Sequence, residues 1–135
     1  MSTNETAPAA VPTAIYDEAA ALESAGGDRA LAAELMSALL DGLPEELDAL
    51  KACLAEHDWP GLAEYAHQLR SATGYCGVPA LDAAISALER AARIEDAQRC
   101  DDAFEEVLRK SQLLLARDKA SDEAMDRAGP SPPTF

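Results

Sequence analysis

Apolar residues recur along this chain at intervals of three and four, the spacing that lines them along one face of an α-helix. Leu31, Leu35, Met36, Leu39 and Leu40 make one stripe, which Leu47, Leu50 and Leu54 continue. Leu62, Tyr65, Ala66, Leu69, Ala72, Thr73 and Cys76 make a second, and Leu81, Ile85, Leu88 and Ala92 a third. Phe104, Val107, Leu108 and Leu114 keep the same period in a last helix expected from about Ala97 to Lys119. No stretch alternates as a half-buried strand would, and no segment repeats. The pattern predicts an all-α protein, an antiparallel four-helix bundle preceded by a short accessory helix from about Ile15 to Ser24.

The breaks in the pattern carry start and stop signals. Gly26-Gly27 ends the short helix, and Asp28 suits the N-cap of the next. Pro44 fits either the first turn of a new helix or a kink in a continuous one. His57-Asp58-Trp59-Pro60-Gly61 reads as a turn, with Asp58 a candidate cap and Pro60 early in the following helix. Gly74 and Gly77 flank the end of that helix, and Pro79 suits the first turn of another. The small, proline-containing segment 1–13 and the segment 120–135, which closes on Gly-Pro-Ser-Pro-Pro before its last two residues, read as flexible tails around a domain spanning 14–119.

Composition agrees with close-packed helices. The chain is 48% hydrophobic with only six aromatic residues, and alanine and leucine, the best helix formers, dominate. A formal charge of −14 on 135 residues argues against nucleic acid and anionic membranes as partners, since both require a basic surface. There is no signal-peptide pattern and no apolar run long enough to span a bilayer, so a cytoplasmic location is expected. Cys53, Cys76 and Cys100 are too scattered for a disulfide framework or a zinc site and read as free thiols, Cys76 packed and Cys100 exposed.

Candidate chemistry centres on His67. At about 100° per residue it falls on the face opposite the apolar stripe, so its ring meets water. Ala63, Ser71 and Gly74, one or two turns away, are small, and Arg70 brings a positive charge. The surface around the ring is therefore bare, open to another macromolecule. Gly74 is costly inside a helix, and either close approach by a partner or the nearby helix end explains it. Glu64 and His67 form a single Glu-x-x-His pair on an outward face, whereas di-iron bundles need two such pairs pointing inward, so no metal site is expected. Neither histidine has a pocket for nucleophilic hydrolysis, and no glycine-rich phosphate loop suggests nucleotide binding or autokinase activity. Two readings of His67 remain: a solvated histidine on a polar helix face, which spacing alone favours, or an imidazole with a free nitrogen lone pair placed to attack a phosphoryl group brought by a partner, with Arg70 offsetting its charge.

These residues resemble the motif of the histidine-containing phosphotransfer (HPt) domains of multistep two-component relays. His67, Leu69, Arg70, Ser71, Gly74, Gly77 and Leu81 stand where that motif has histidine, apolar, basic, glycine, small, glycine and apolar residues. Leu43-Pro44-Glu45-Glu46-Leu47, Asp58-Trp59 and Ala87-Leu88-Glu89 resemble the flanking elements. Tyr75-Cys76-Gly77-Val78-Pro79 is similar to the same stretch in the HPt modules of BarA and GacS type hybrid sensor kinases. The departure is Ser71, where the family usually has glycine.

The resemblance implies a monomeric bundle whose His67 accepts a phosphoryl group from a receiver-domain aspartate and passes it to another receiver. It assigns Arg70 as the phosphate-facing cation, Glu89 as the residue that orients the imidazole, and Ala63, Glu64, Gln68, Ser71 and Gly74 as the docking surface. The partners would be receiver domains of response regulators and hybrid kinases, which would also supply Mg²⁺; the chain itself would need no cofactor. A chain of this length opening on methionine suggests a stand-alone carrier. The competing reading is a module that binds or sequesters a receiver or kinase without relaying phosphate.

Overall fold

Helix starts follow the supply of side-chain acceptors for the first free amides. Asp17 accepts from the Ala20 N–H at 3.1 Å, Asp28 from Leu31 at 3.0 Å, Asp58 from Gly61 at 3.0 Å and Asp96 from Arg99 at 3.1 Å. The start at Pro79 has no such acceptor and relies on that proline in its first turn. The computed structural model describes residues 14–128, with side chains as far as Lys119. Its elements are α1 (Glu18–Ser24), α2 (Arg29–Ala55), α3 (Trp59–Thr73), α4 (Pro79–Arg93) and α5 (Ala97–Ala128). No strand occurs among the described residues.

Pro44 lies inside one continuous α2, so the open choice at that residue resolves against a new helix. The last helix runs past Lys119 to Ala128, taking into helical backbone part of the segment expected to be tail. The expected tails at 1–13 and 129–135 lie outside the described residues. Two tight turns put non-glycine residues in the left-handed region, His57 at φ 55° after α2 and Glu95 at φ 56° after α4. In each the next amide reaches back to the last turn, Asp58 to Cys53 O at 2.9 Å and Asp96 to Ala91 O at 3.1 Å, which closes the helix abruptly.

The helices pack as a ring: α2 against α3, α3 against α4, α4 against α5, and α5 back against α2, with α1 laid on α2. Leu43, Leu50, Leu62, Leu81, Ile85, Leu88, Val107 and Leu114 fill the centre. Three expectations fail at the edges of this core. Leu31 is 39% exposed and Tyr65 is 40% exposed, while Cys100 is fully buried. The reason is angular: a helix pressed by two neighbours buries only the arc they cover, and Tyr65 lies at the edge of the apolar stripe on α3. Cys100 sits one turn into α5, where the ring closes over it.

Candidate functional site

α3 and α4 present small side chains to each other, and this sets the distance across which a site can form. Ala63 and Ala66 of α3 and Ala92 of α4 are 5% exposed or less, so the two helices approach closely. Ala63 is thus not part of the open surface around His67. It lies to the side of the ring that turns toward α4, where it is packed. Glu64, Gln68, Ser71 and Gly74 are exposed as expected, and Glu64 accepts a hydrogen bond from Gln68 at 3.1 Å rather than pairing with His67.

The His67 side chain is 59% exposed, and its Nδ1 lies 3.1 Å from Oε2 of Glu89, whose side chain is only 9% exposed. The sequence pointed to both residues; the contact between helices required the fold. A carboxylate accepts only, so Nδ1 carries a proton toward Glu89, and in the neutral ring the lone pair is then on Nε2.

Glu89 has further partners. Arg93, one turn along α4, donates to the same Oε2 from Nε at 3.1 Å and from Nη2 at 2.7 Å. Arg70 donates from Nη1 to Oε1 at 3.3 Å. Burial alone drives the Glu89 carboxyl's pKa up. The hydrogen bonds from Arg93, Arg70 and His67, with the charge of Arg93, outweigh it and hold the group below the ordinary carboxylate value. Glu89 is therefore ionised at neutral pH, a buried charge tolerated because it is paired on both oxygens.

Arg70 bridges further, its Nε 3.9 Å from Asp82 Oδ1, which also accepts the Thr73 hydroxyl proton at 2.6 Å. Arg93 escaped the sequence reading, although its position four residues after Glu89 on a helix was a signal for pairing. Asp82 and Thr73 escaped it as well, because their pairing joins two helices across a turn.

Gly77 completes the local frame. Its φ of +72° suits glycine, and a Cβ there would stand 2.5 Å from Asp17 O and 2.8 Å from Ala21 Cβ. The start of α1 rests on this point, with Asp17 N–H donating to Gly77 O at 2.7 Å. Gly74 differs: its φ is −67°, and a Cβ would meet only the Arg70 carbonyl, at 3.1 Å. Nothing else inside the described fold demands its missing side chain.

An all-helical bundle with an exposed histidine held by a buried carboxylate defines a class, and comparison with known proteins identifies it. The Hpt domain family model matches residues 34–123, and the chain belongs to that family of phosphorelay two-component signalling. The match begins within α2, so α1 lies outside it. The chain is 39% identical over 84 residues to the sensor histidine kinase GacS of Pseudomonas protegens, a match covering 62% of this chain and 9% of that protein. It is 31% identical over 113 residues to the histidine-protein kinase BarA of Escherichia coli K12, covering 84% of this chain and 12% of that protein. The matched part is thus about a tenth of each of these relatives. The fold matches the crystal structure of the HPT domain from a Shewanella sensor hybrid histidine kinase with a TM-score of 0.70 at 22% identity, over 85% of this chain and 97% of that one. Among the described residues no helix is long and apolar enough to cross a membrane.

Proposed function

We propose that this chain is a phosphocarrier without autokinase activity, in which His67 takes a phosphoryl group from a receiver-domain aspartate and delivers it to another receiver. The observation that carries the reading is the Nδ1 contact to buried Glu89, which fixes the tautomer and leaves Nε2 on the open side as the nucleophile. The Nε2 lone pair attacks phosphorus, the P–O bond to the aspartyl carboxylate breaks, and the carboxylate leaves with that electron pair. Positive charge develops on the imidazole, and the Glu89 carboxylate beside Nδ1 stabilises it. The product is a phosphoramidate, and the same steps in reverse discharge it to the next receiver.

Arg70 and Arg93 flank the ring as half-exposed cations. In this reading they serve twice, neutralising Glu89 and lowering the cost of bringing a dianionic phosphoryl group to the surface. Exposed Glu64, Gln68, Ser71 and Gly74 form the contact surface, with a hollow between Trp59, Pro60, Ala63 and Arg93 beside them. Gly74, which meets so little inside the fold, leaves room for the receiver. The reading assigns Mg²⁺ to the receiver, since the Glu89 carboxylate that touches His67 is already paired to two arginines.

Purified chain is mixed with a ³²P-labelled receiver or hybrid kinase from the same organism, beside His67→Gln. Acid-labile, alkali-stable label on the wild type alone is the expected result. Equal labelling of the variant would refute the carrier, and binding without labelling would leave the sequestering module in its place.

A further inference from the structure

Arg70 sits between two carboxylates of α4. Its Nη1 donates to Glu89 Oε1 at 3.3 Å, and its Nε lies 3.9 Å from Asp82 Oδ1. Asp82 and Glu89 are about two helical turns apart, and both reach residues of α3. The Arg70 Nε is shut off from solvent yet finds no hydrogen-bond acceptor among the described residues. A buried donor without a partner is uncommon and calls for a reason.

Asp82 is not free to swing toward that donor. Its Oδ1 accepts the Thr73 hydroxyl proton at 2.6 Å, and Thr73, the last residue of α3, is 2% exposed. A short charge-assisted hydrogen bond to a packed side chain pins the Asp82 carboxylate across the turn between the two helices. Two fixed carboxylates therefore draw one guanidinium from either side, and it reaches neither closely. This accounts for the unpartnered Nε–H.

We propose that Asp82, fixed by Thr73, is a positioning residue for phosphoryl transfer. It tethers the Nε edge of Arg70 while Glu89 tethers Nη1, and Nη2, which has no hydrogen-bond partner among the described residues, is left for the incoming phosphoryl group. With Asp82 uncharged, Arg70 keeps a single tether and swings about it. The proposal rests on the phosphocarrier reading of His67. Asp82 also lies in the first turn of α4, where a carboxylate steadies the helix, so the test has to separate the two roles.

Asp82→Asn keeps an acceptor for Thr73 and removes the charge. At saturating ³²P-labelled receiver, labelling of His67 should slow about fivefold in this variant. Thr73→Val, which frees the Asp82 carboxylate, should slow it in the same direction. In the Arg70→Gln background Asp82→Asn should add nothing, because its effect runs through Arg70. An equal further loss there would mean that Asp82 only steadies α4 and would overturn the proposal. The Arg70 Nε–H resonance in ¹⁵N NMR reads the tether without any transfer. It should exchange slowly in the wild type and fast in Asp82→Asn, while the Arg93 Nε–H, bonded to Glu89 at 3.1 Å, is unchanged. An Arg70 signal indifferent to Asp82→Asn would also overturn the proposal. A wild type that takes no label, with an Arg70 signal that does respond, would instead sink the phosphocarrier reading and Asp82's part in transfer while leaving the tether established.

Discussion

Glu89 is the residue on which the site turns, because one buried carboxylate satisfies two arginines and a histidine at once. Replacing it by glutamine keeps the shape and an acceptor for Nδ1 but leaves Arg93 without a counter-charge and Arg70 with Asp82 alone, at 3.9 Å. Stability should fall by about 1–3 kcal/mol in urea unfolding, the scale of hydrogen bonds to a charged group. Transfer to His67 should slow by about tenfold, about 1.4 kcal/mol of lost stabilisation of ring charge, read from the rate of label appearance. The acid limb offers a separate check. Since the folded carboxyl is held below its ordinary value, its contribution is fully present above the unfolded pKa of roughly 4.3 and is lost as pH falls through the folded value. Wild type should therefore lose more stability than Glu89→Gln between about pH 5 and 3. Equal slopes for the two proteins would show that the carboxylate is not linked to folding.

The turn between α3 and α4 organises the elements, since it sets the helix pair that carries the site and also seats α1. Gly77 stands at its centre with a positive φ and Asp17 O above it. Gly77→Ala should cost about 1–3 kcal/mol through backbone strain and the clash with α1. The amides of Asp17 and Ala21 should lose hydrogen-exchange protection before those of α4. Uniform loss across the bundle would mean that α1 is not a separate docking unit. At this scale much could be read in advance. Asp28 and Asp58 announced their helices, and the inward sets Leu81, Ile85, Leu88 and Ala92 on α4 are buried as their spacing required. Caps and periods are local properties, decided within one or two turns of chain. Tyr65 and Ala63 were misplaced because the width of a buried arc depends on where two other helices lie.

In the whole molecule the helix ring encloses all three cysteines. Burial pushes the Cys53, Cys76 and Cys100 thiols above their ordinary pKa, with nearby carboxylates adding to the effect at Cys53 and Cys100. The native protein should react with Ellman's reagent at least tenfold more slowly than the urea-unfolded chain, which should release three equivalents. Fast reaction at one site in native buffer would locate an opening in the ring. The two sides of α4 differ in character, one packed on α3 around buried Glu89 and the other lined with alanine where α4 meets α5.

The all-α class, the starts of α2, α3, α4 and α5, the outward histidine and the resemblance to the family were legible in the chain, because each rests on residues close together in it, whereas α1 begins at Glu18 rather than at Ile15. The packing of the helices was needed to show that α2 passes unbroken through Pro44, that Cys100 is enclosed, and that Glu89 meets His67. It alone revealed Arg93 as the partner that keeps that carboxylate charged. Those outcomes depend on how helices from distant parts of the chain are pressed together, and helical periodicity fixes the direction of a side chain without fixing what stands opposite it.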